Sequence, residues 1–426
     1  SSGFSVPGGE DISLRLDHTG IPFLPGATLK GLLREHIENY LCWTGGDSRQ
    51  ILKLFGESSW TDGDDGRRLI FGDLKLTRTD ASENITDTRT FTAIEDGVVK
   101  EASLRVASCL VSGLRLHGII LCDTQDENLV MNGLSLIRNL GLLRNRGFGQ
   151  VFLTGSVVST LSTGPVISPC NCIQYRLRLE TPLVISDNRS LVSVDAATNY
   201  TETRKSIPGS TIRGMTISYL AKKYPSWFEQ NKRIILQTCT FTPAFPLLNG
   251  TVTVPSPAGF YEDKAKTEFY SVLTAGVVKP GHKRASMGAF CQVQGSEITT
   301  MSPDIVSSLR ISRGNRQMFT NRAIASGTEF EGYIYLSDST LAPFVAEAFC
   351  DYVWLGADRY AGNGLCSRME LNAVEAPNWS RLSYKNEIPD IIYMMLLSPT
   401  TMLSNGEAIG LDEQHHIDDI RDFVFI

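Results

Sequence analysis

The chain has 426 residues, 42% hydrophobic and 20% charged, with a formal net charge of −6. That length predicts two or more domains with proper cores, and the acidic balance means that any nucleic-acid role must rest on local basic stretches. No apolar run is long enough to span a bilayer and no signal peptide opens the chain, which points to the cytoplasm and to no membrane partner.

Nine cysteines without a CxxC pair fit a reducing compartment and weigh against a disulfide framework or a zinc site. The first residues, Ser1 to Gly9, are a glycine-rich stretch with no strand before it. Either a leading segment is absent from the sequence or a domain starts mid-motif. The next loop carries Asp11 and Asp17, the latter in a turn-like Asp-His-Thr-Gly.

Then comes the stretch that the chain contains twice. Pro25-Gly26-x-Thr28-x-Lys30-Gly31 is answered by Pro208-Gly209-x-Thr211-x-Arg213-Gly214. Each copy predicts an extended segment, a tight turn and a helix, over 29–40 and 212–223, with Thr or Ser at the cap and a cation in the first turn. A glycine turn feeding a helix start is a natural seat for phosphate; a plain strand-to-helix connection is the competing reading.

Two further segments recur in the same order. Ser112-Gly113 followed by an alternating strand matches Ser326-Gly327, and Gly141-Leu-Leu-Arg-Asn-Arg-Gly-Phe-Gly149 matches Gly356-Ala-Asp-Arg-Tyr-Ala-Gly-Asn-Gly364. A tandem duplication follows. The spacing predicts second helices over 129–140 and 341–354, so each unit reads strand, helix, strand, strand, helix, strand. That is the α+β, ferredoxin-like (RRM-like) pattern, in tandem. The first unit covers 1–160, a Ser/Thr/Pro/Gly linker 161–171, the second unit 172–374 with a long insertion over 255–322. Residues 375–426 resemble the start of a further unit. Asp96-Gly97 predicts a hairpin turn within 84–105.

Glycines let a backbone approach a sugar-phosphate closely, and arginine forks phosphate oxygens. Lys30, Arg34, Arg144 and Arg146 therefore bracket unit one as a backbone grip on nucleic acid, with Arg213 and Arg359 in unit two.

The combination of Pro-Gly-x-Thr-Leu-Lys-Gly-x-x-Arg34, Leu54-Phe55-Gly56 and Arg144-x-Arg146-Gly-Phe-Gly resembles the RAMP superfamily of CRISPR-associated proteins. More narrowly it is similar to backbone subunits of type III effector complexes, with two units fused as occurs in type III-D. The resemblance covers nearly all of 3–374. Unit two departs from it: Leu-Phe-Gly is missing, and its glycine loop has lost one arginine.

The resemblance implies a subunit that holds guide RNA with Lys30, Arg34, Arg89, Arg144, Arg146, Arg204, Arg213 and Arg359. It implies β-hairpin thumbs that kink the guide–target duplex, near 84–105 and within 255–322. It places the target-cutting carboxylate at Asp11, and at Asp195 in unit two with Asp187 as a rival. The carboxylate would take the proton of an in-line 2′-hydroxyl or bind Mg²⁺ or another divalent cation. The implied partners are guide RNA, target RNA and other type III subunits, including the large polymerase/cyclase-like one.

A non-catalytic unit that binds the guide 5′ handle or caps the complex is the alternative. A nuclease processing precursor guides would favour a histidine base. The loops are histidine-poor, and His18 and the pair His415-His416 have no supporting pattern.

Overall fold

The computed structural model describes residues 11–17, 19–56, 69–77, 85–101, 103–157, 164–186, 200–257, 259–265, 268–272, 277–294, 297–311, 318–375, 403–404 and 407–408. Asp187, Asp195, His18 and nearly all of 375–426 lie outside these.

The first helix, α1 (Gly26–Thr44), is amphipathic: Leu29, Leu32, Leu33, Ile37 and Leu41 recur at helical spacing and are buried. It is longer than expected, ending at Gly45, whose φ of 70° lets its amide reach Leu41 O. A short α2 (Arg49–Phe55), not foreseen from the sequence, buries Leu54 and Phe55 on the same core. The third helix, α3 (Glu127–Leu136), packs across α1. Gly133 permits that approach, since a Cβ there would collide with Ile37 and Leu33. Beneath them Phe23–Leu24, Leu74–Leu76 and Leu116–His117 pair antiparallel in that spatial order, and Ile70–Phe71 pairs with Ile120–Leu121.

In the second half, Cys172–Leu179 lies between Glu329–Tyr335 and Leu365–Ala373, antiparallel to both. Its inward set, Ile173, Tyr175, Leu177 and Leu179, is fully buried, whereas Gln174, Arg176 and Arg178 face the other way. Over the buried face pack α4 (Gly209–Lys223), α5 (Pro225–Thr238) and α6 (Ala342–Glu347). Residues 341–354 do not form one helix. The chain leaves α6 near Ala348, and Tyr352–Trp354 pairs with Leu365–Ser367 as a strand. In space the fourth strand of this half lies beside the first, then the third, then the second, Phe245–Leu248.

Two projections leave these bodies. In the first half Thr86–Phe91 pairs with Arg105–Leu110, closed through Ile94–Glu95 and Val98–Val99. Its turn is Asp96-Gly97, both with positive φ, 52° and 79°, which matches a twisted two-residue hairpin. In the second half, 254–311 folds into several small sheets. Among the described residues no helix is long and apolar enough to cross a membrane, and all nine cysteines are free.

Candidate nucleic-acid interface

Both Pro-Gly turns have one construction. Pro25 and Pro208 sit at the N-caps of α1 and α4, and the amides of Thr28 and Thr211 donate to their carbonyls at 2.9 Å each. Gly26 and Gly209 come next because the helix start presses on a strand: a Cβ would strike the carbonyl of Gly72 or of Phe241. The expected Thr or Ser cap is absent, for neither N-cap has a side-chain acceptor.

At α1 that role falls to Asp73, whose Oδ1 accepts the Gly26 amide at 2.9 Å. The phosphate-type seat at this helix start is thus held by a carboxylate of the chain itself. Burial pushes the Asp73 carboxyl up to about 6, against the Gly26 hydrogen bond and the nearby Arg15 and Lys75, which pull it down. Nothing singled out Asp73 in the sequence. The one available signal was an acid just after a buried strand, opposite a helix start that has no cap of its own.

The glycine loops are equally alike. Leu143 and Asp358 adopt φ of 58° and 57°, a 3-10 turn follows (Arg144–Arg146; Arg359–Ala361), and Gly147 and Gly362 return at 81° and 90°. The amides of Leu140 and Leu355 then donate to Gly149 O and Gly364 O, each at 2.8 Å. A Cβ on either glycine would collide with that same leucine's carbonyl. The two glycine loops thus share one backbone construction, down to residues in the left-handed region.

Residues 2–151 match the model of the RAMP superfamily. This stretch is similar to the RAMP superfamily. No curated protein matches the sequence closely enough to count as a relative. Among solved structures, a type III-B Cmr-beta complex bound to cognate target RNA is 12% identical at a TM-score of 0.27, covering 48% of this chain and 98% of that one. The apo state of Cmr-beta scores 0.29 at the same identity and coverage. A type IV-B CRISPR complex scores 0.27 at 11% identity, covering 51% of this chain and 95% of that one. At such scores the overlap transfers neither activity nor partner.

The candidate cations of residues 2–151 lie on α1, the hairpin and the glycine loop. Lys30 Nζ donates to Tyr360 O at 3.0 Å, so it meets the glycine loop of the second half. Gly362 of that loop lies over the start of α1, where a Cβ would be 3.3 Å from Phe71 O and 3.7 Å from Ala27 N. Arg34 reaches Gly56 O at 3.5 Å, tying the helix to the end of Leu54-Phe55-Gly56. Arg144 and Arg146 are exposed, and Arg146 lies 5.1 Å from the centroid of Phe91 on the hairpin. Arg89 pairs with Asp87 at 2.8 Å on the same hairpin.

In the second half Arg359 is exposed, while Arg213 donates to Leu236 O at 3.1 Å near the end of α5. Arg204 is partly buried, its amide bonded to Ile185 O. The structure thus brings Lys30 together with the loop of Arg359, across the two halves.

Asp11 lies against the hairpin strand Arg105–Leu110, at the end nearer the Asp96-Gly97 turn. Its Oδ2 accepts the Val106 amide at 2.8 Å, and Ile12 bridges to Ala107 with bonds to Val106 O and from Ser108 N. The carboxylate is exposed yet tethered by one oxygen. Asp17 instead closes a turn, accepting from Thr19 N, Thr19 Oγ1 and Ile21 N at 2.6–3.0 Å. Among the described residues no group of three His, Cys, Asp or Glu side chains is disposed to hold a metal ion.

Proposed function

We propose that the chain is a two-unit backbone subunit of a CRISPR ribonucleoprotein, with two ferredoxin-like RAMP units and hairpin thumbs, which holds guide RNA and cleaves the paired target RNA beside Asp11. The observation that carries this reading is the tether of Asp11 to the hairpin strand Arg105–Leu110. A hairpin that enters a guide–target duplex would present the target backbone to a carboxylate fixed on its own returning strand, toward the turn. One carboxylate suffices when distortion of the target sets the 2′-hydroxyl in line with the scissile phosphate. Asp11 then accepts the hydroxyl proton or orients a bound divalent cation, which would supply charge stabilisation at the phosphate. The exposed Arg144, Arg146 and Arg359 support the RNA-holding part.

The test uses the assembled complex with guide, labelled target and Mg²⁺. Asp11→Ala is expected to abolish one product band, a loss of about 100-fold or more if the carboxylate is the base, while target binding is retained. Asp195→Ala is expected to remove a second band. A band pattern unchanged by Asp11→Ala would sink the catalytic claim and leave a binding subunit.

A further inference from the structure

The insertion of the second half holds a small sheet whose strands, among the described residues, pair only with one another: Phe269–Ser271, Phe260–Glu262 and Lys283–Arg284, in that order. Residues directly opposite in neighbouring strands share a face, so Tyr261, Tyr270 and Arg284 line one side. The two tyrosine rings stack at 6.3 Å with 29° between planes. Lys279 Nζ stands 4.8 Å from the Tyr270 centroid and His282 meets that ring edge-on at 5.4 Å. On the other face Phe260 and Phe269 stack at 4.9 Å, with Phe269 still 45% exposed.

Strands this short contribute little pairing of their own, so some ring packing is needed to hold the arm together. That need does not explain why cations stand around the tyrosine face. Glu268 ties Lys279 and His282 into the loop, which sets where they stand around Tyr270. Lys264 and Arg284 are exposed beyond them. In a chain of net charge −6, residues 260–284 carry five Lys or Arg against three Asp or Glu.

Partly exposed rings flanked by cations are the chemistry that takes unpaired bases by stacking and their phosphates by charge. We propose that the sheet formed by 260–262, 269–271 and 283–284 binds single-stranded nucleic acid, with Tyr261 and Tyr270 stacking on bases and Arg284 and Lys279 meeting the backbone. This surface is separate from the clamp and from Asp11, and does not depend on either.

The full chain is titrated against fluorescein-labelled oligouridylate of about 12 nucleotides, the equivalent oligothymidylate, and a duplex RNA of equal length, by anisotropy. Tyr270→Leu is expected to weaken binding of the single strands about tenfold, in keeping with loss of one stacked base. Tyr270→Phe keeps the ring and is expected to bind as wild type, which separates stacking from a role of the hydroxyl in the fold. Arg284→Gln is expected to reduce the slope of log affinity against log salt by about 0.7. The oligothymidylate arm decides between RNA alone and any single strand.

Equal affinity for duplex and single strand, untouched by Tyr270→Leu, would overturn the proposal in favour of plain charge attraction. Cross-linking with 4-thiouridine RNA locates the contact independently. Adducts on Tyr261 or Tyr270 support the arm, whereas adducts confined to the 143–149 loop would overturn it and leave the clamp reading standing.

Discussion

Asp73 accepts the first amide of α1 and sits beside the loop of the other half, with Gly362 about 3.8 Å away from its Oδ1 at the nearest Cβ position. Burial disfavours its charge and pushes the carboxyl up to about 6 in the folded chain, from the ordinary aspartate value of 3.8. The folded state therefore holds a proton that the unfolded chain has lost between about pH 4 and 6. The stabilisation is fully present below about pH 4 and declines as pH rises through 6. Asp73→Asn keeps an acceptor for Gly26 and removes the titration. Denaturant midpoints of the variant minus wild type are expected to rise steadily from pH 4 to 6 and then level off. A difference that stays flat over that window would refute the assignment.

At the scale of single strands, the central strand Cys172–Leu179 shows what one polar position can cost. Arg176 Nε donates to Glu331 at 2.7 Å, and Nη1 reaches Glu370 at 3.4 Å. Glu331 is only 2% exposed and also accepts from Tyr333 Oη at 2.5 Å, which pushes the tyrosine hydroxyl up along with its burial. Arg176→Leu would strand a buried carboxylate and is expected to destabilise by about 3–5 kcal/mol, whereas adding Glu331→Leu restores most of that. Chemical denaturation of both variants checks it; equal losses in the two would contradict the pairing.

The strand itself was legible, since apolar residues alternate from Ile173 to Leu179. So were the Pro-Gly turns and glycine loops, because backbone that needs left-handed φ or close approach leaves few residue choices. The stretch 341–354 was misread because Tyr-Val-Trp-Leu fits a helix stripe and a buried strand equally well, and only pairing with Leu365–Ser367 decides it. Partners distant in sequence, such as Asp73 for Gly26 or Val106 for Asp11, left no local pattern at all.

At the scale of the whole molecule, polar contacts join the two halves. Lys30 binds Tyr360 O at 3.0 Å, Lys75 binds Glu180 at 2.8 Å, and Leu365 packs on Gly72. A small cavity of about 50 Å³ lies there, lined by Asp73, Lys75, His117, Glu180, Thr181 and Tyr352 among others. Interfaces of this character between units of one chain hold less firmly than a shared apolar core, and the two cores here are separate clusters. The two lysines are then restraints on the angle between the halves, and on the distance from Asp11 to the loop of Arg359.

A half-exposed ion pair contributes about 1 kcal/mol or less, and a charged hydrogen bond to a carbonyl about 1.5–3 kcal/mol. Replacing both Lys30 and Lys75 by methionine should therefore weaken the junction without emptying either core. Calorimetry is expected to show one transition for wild type and two for the double variant, the lower one shifted down by several degrees. A single transition that merely moves would mean that the halves are coupled elsewhere. If they do separate, Lys75→Met alone, which leaves Lys30 and every loop arginine in place, should also weaken guide binding, because a clamp built from two bodies depends on the angle between them.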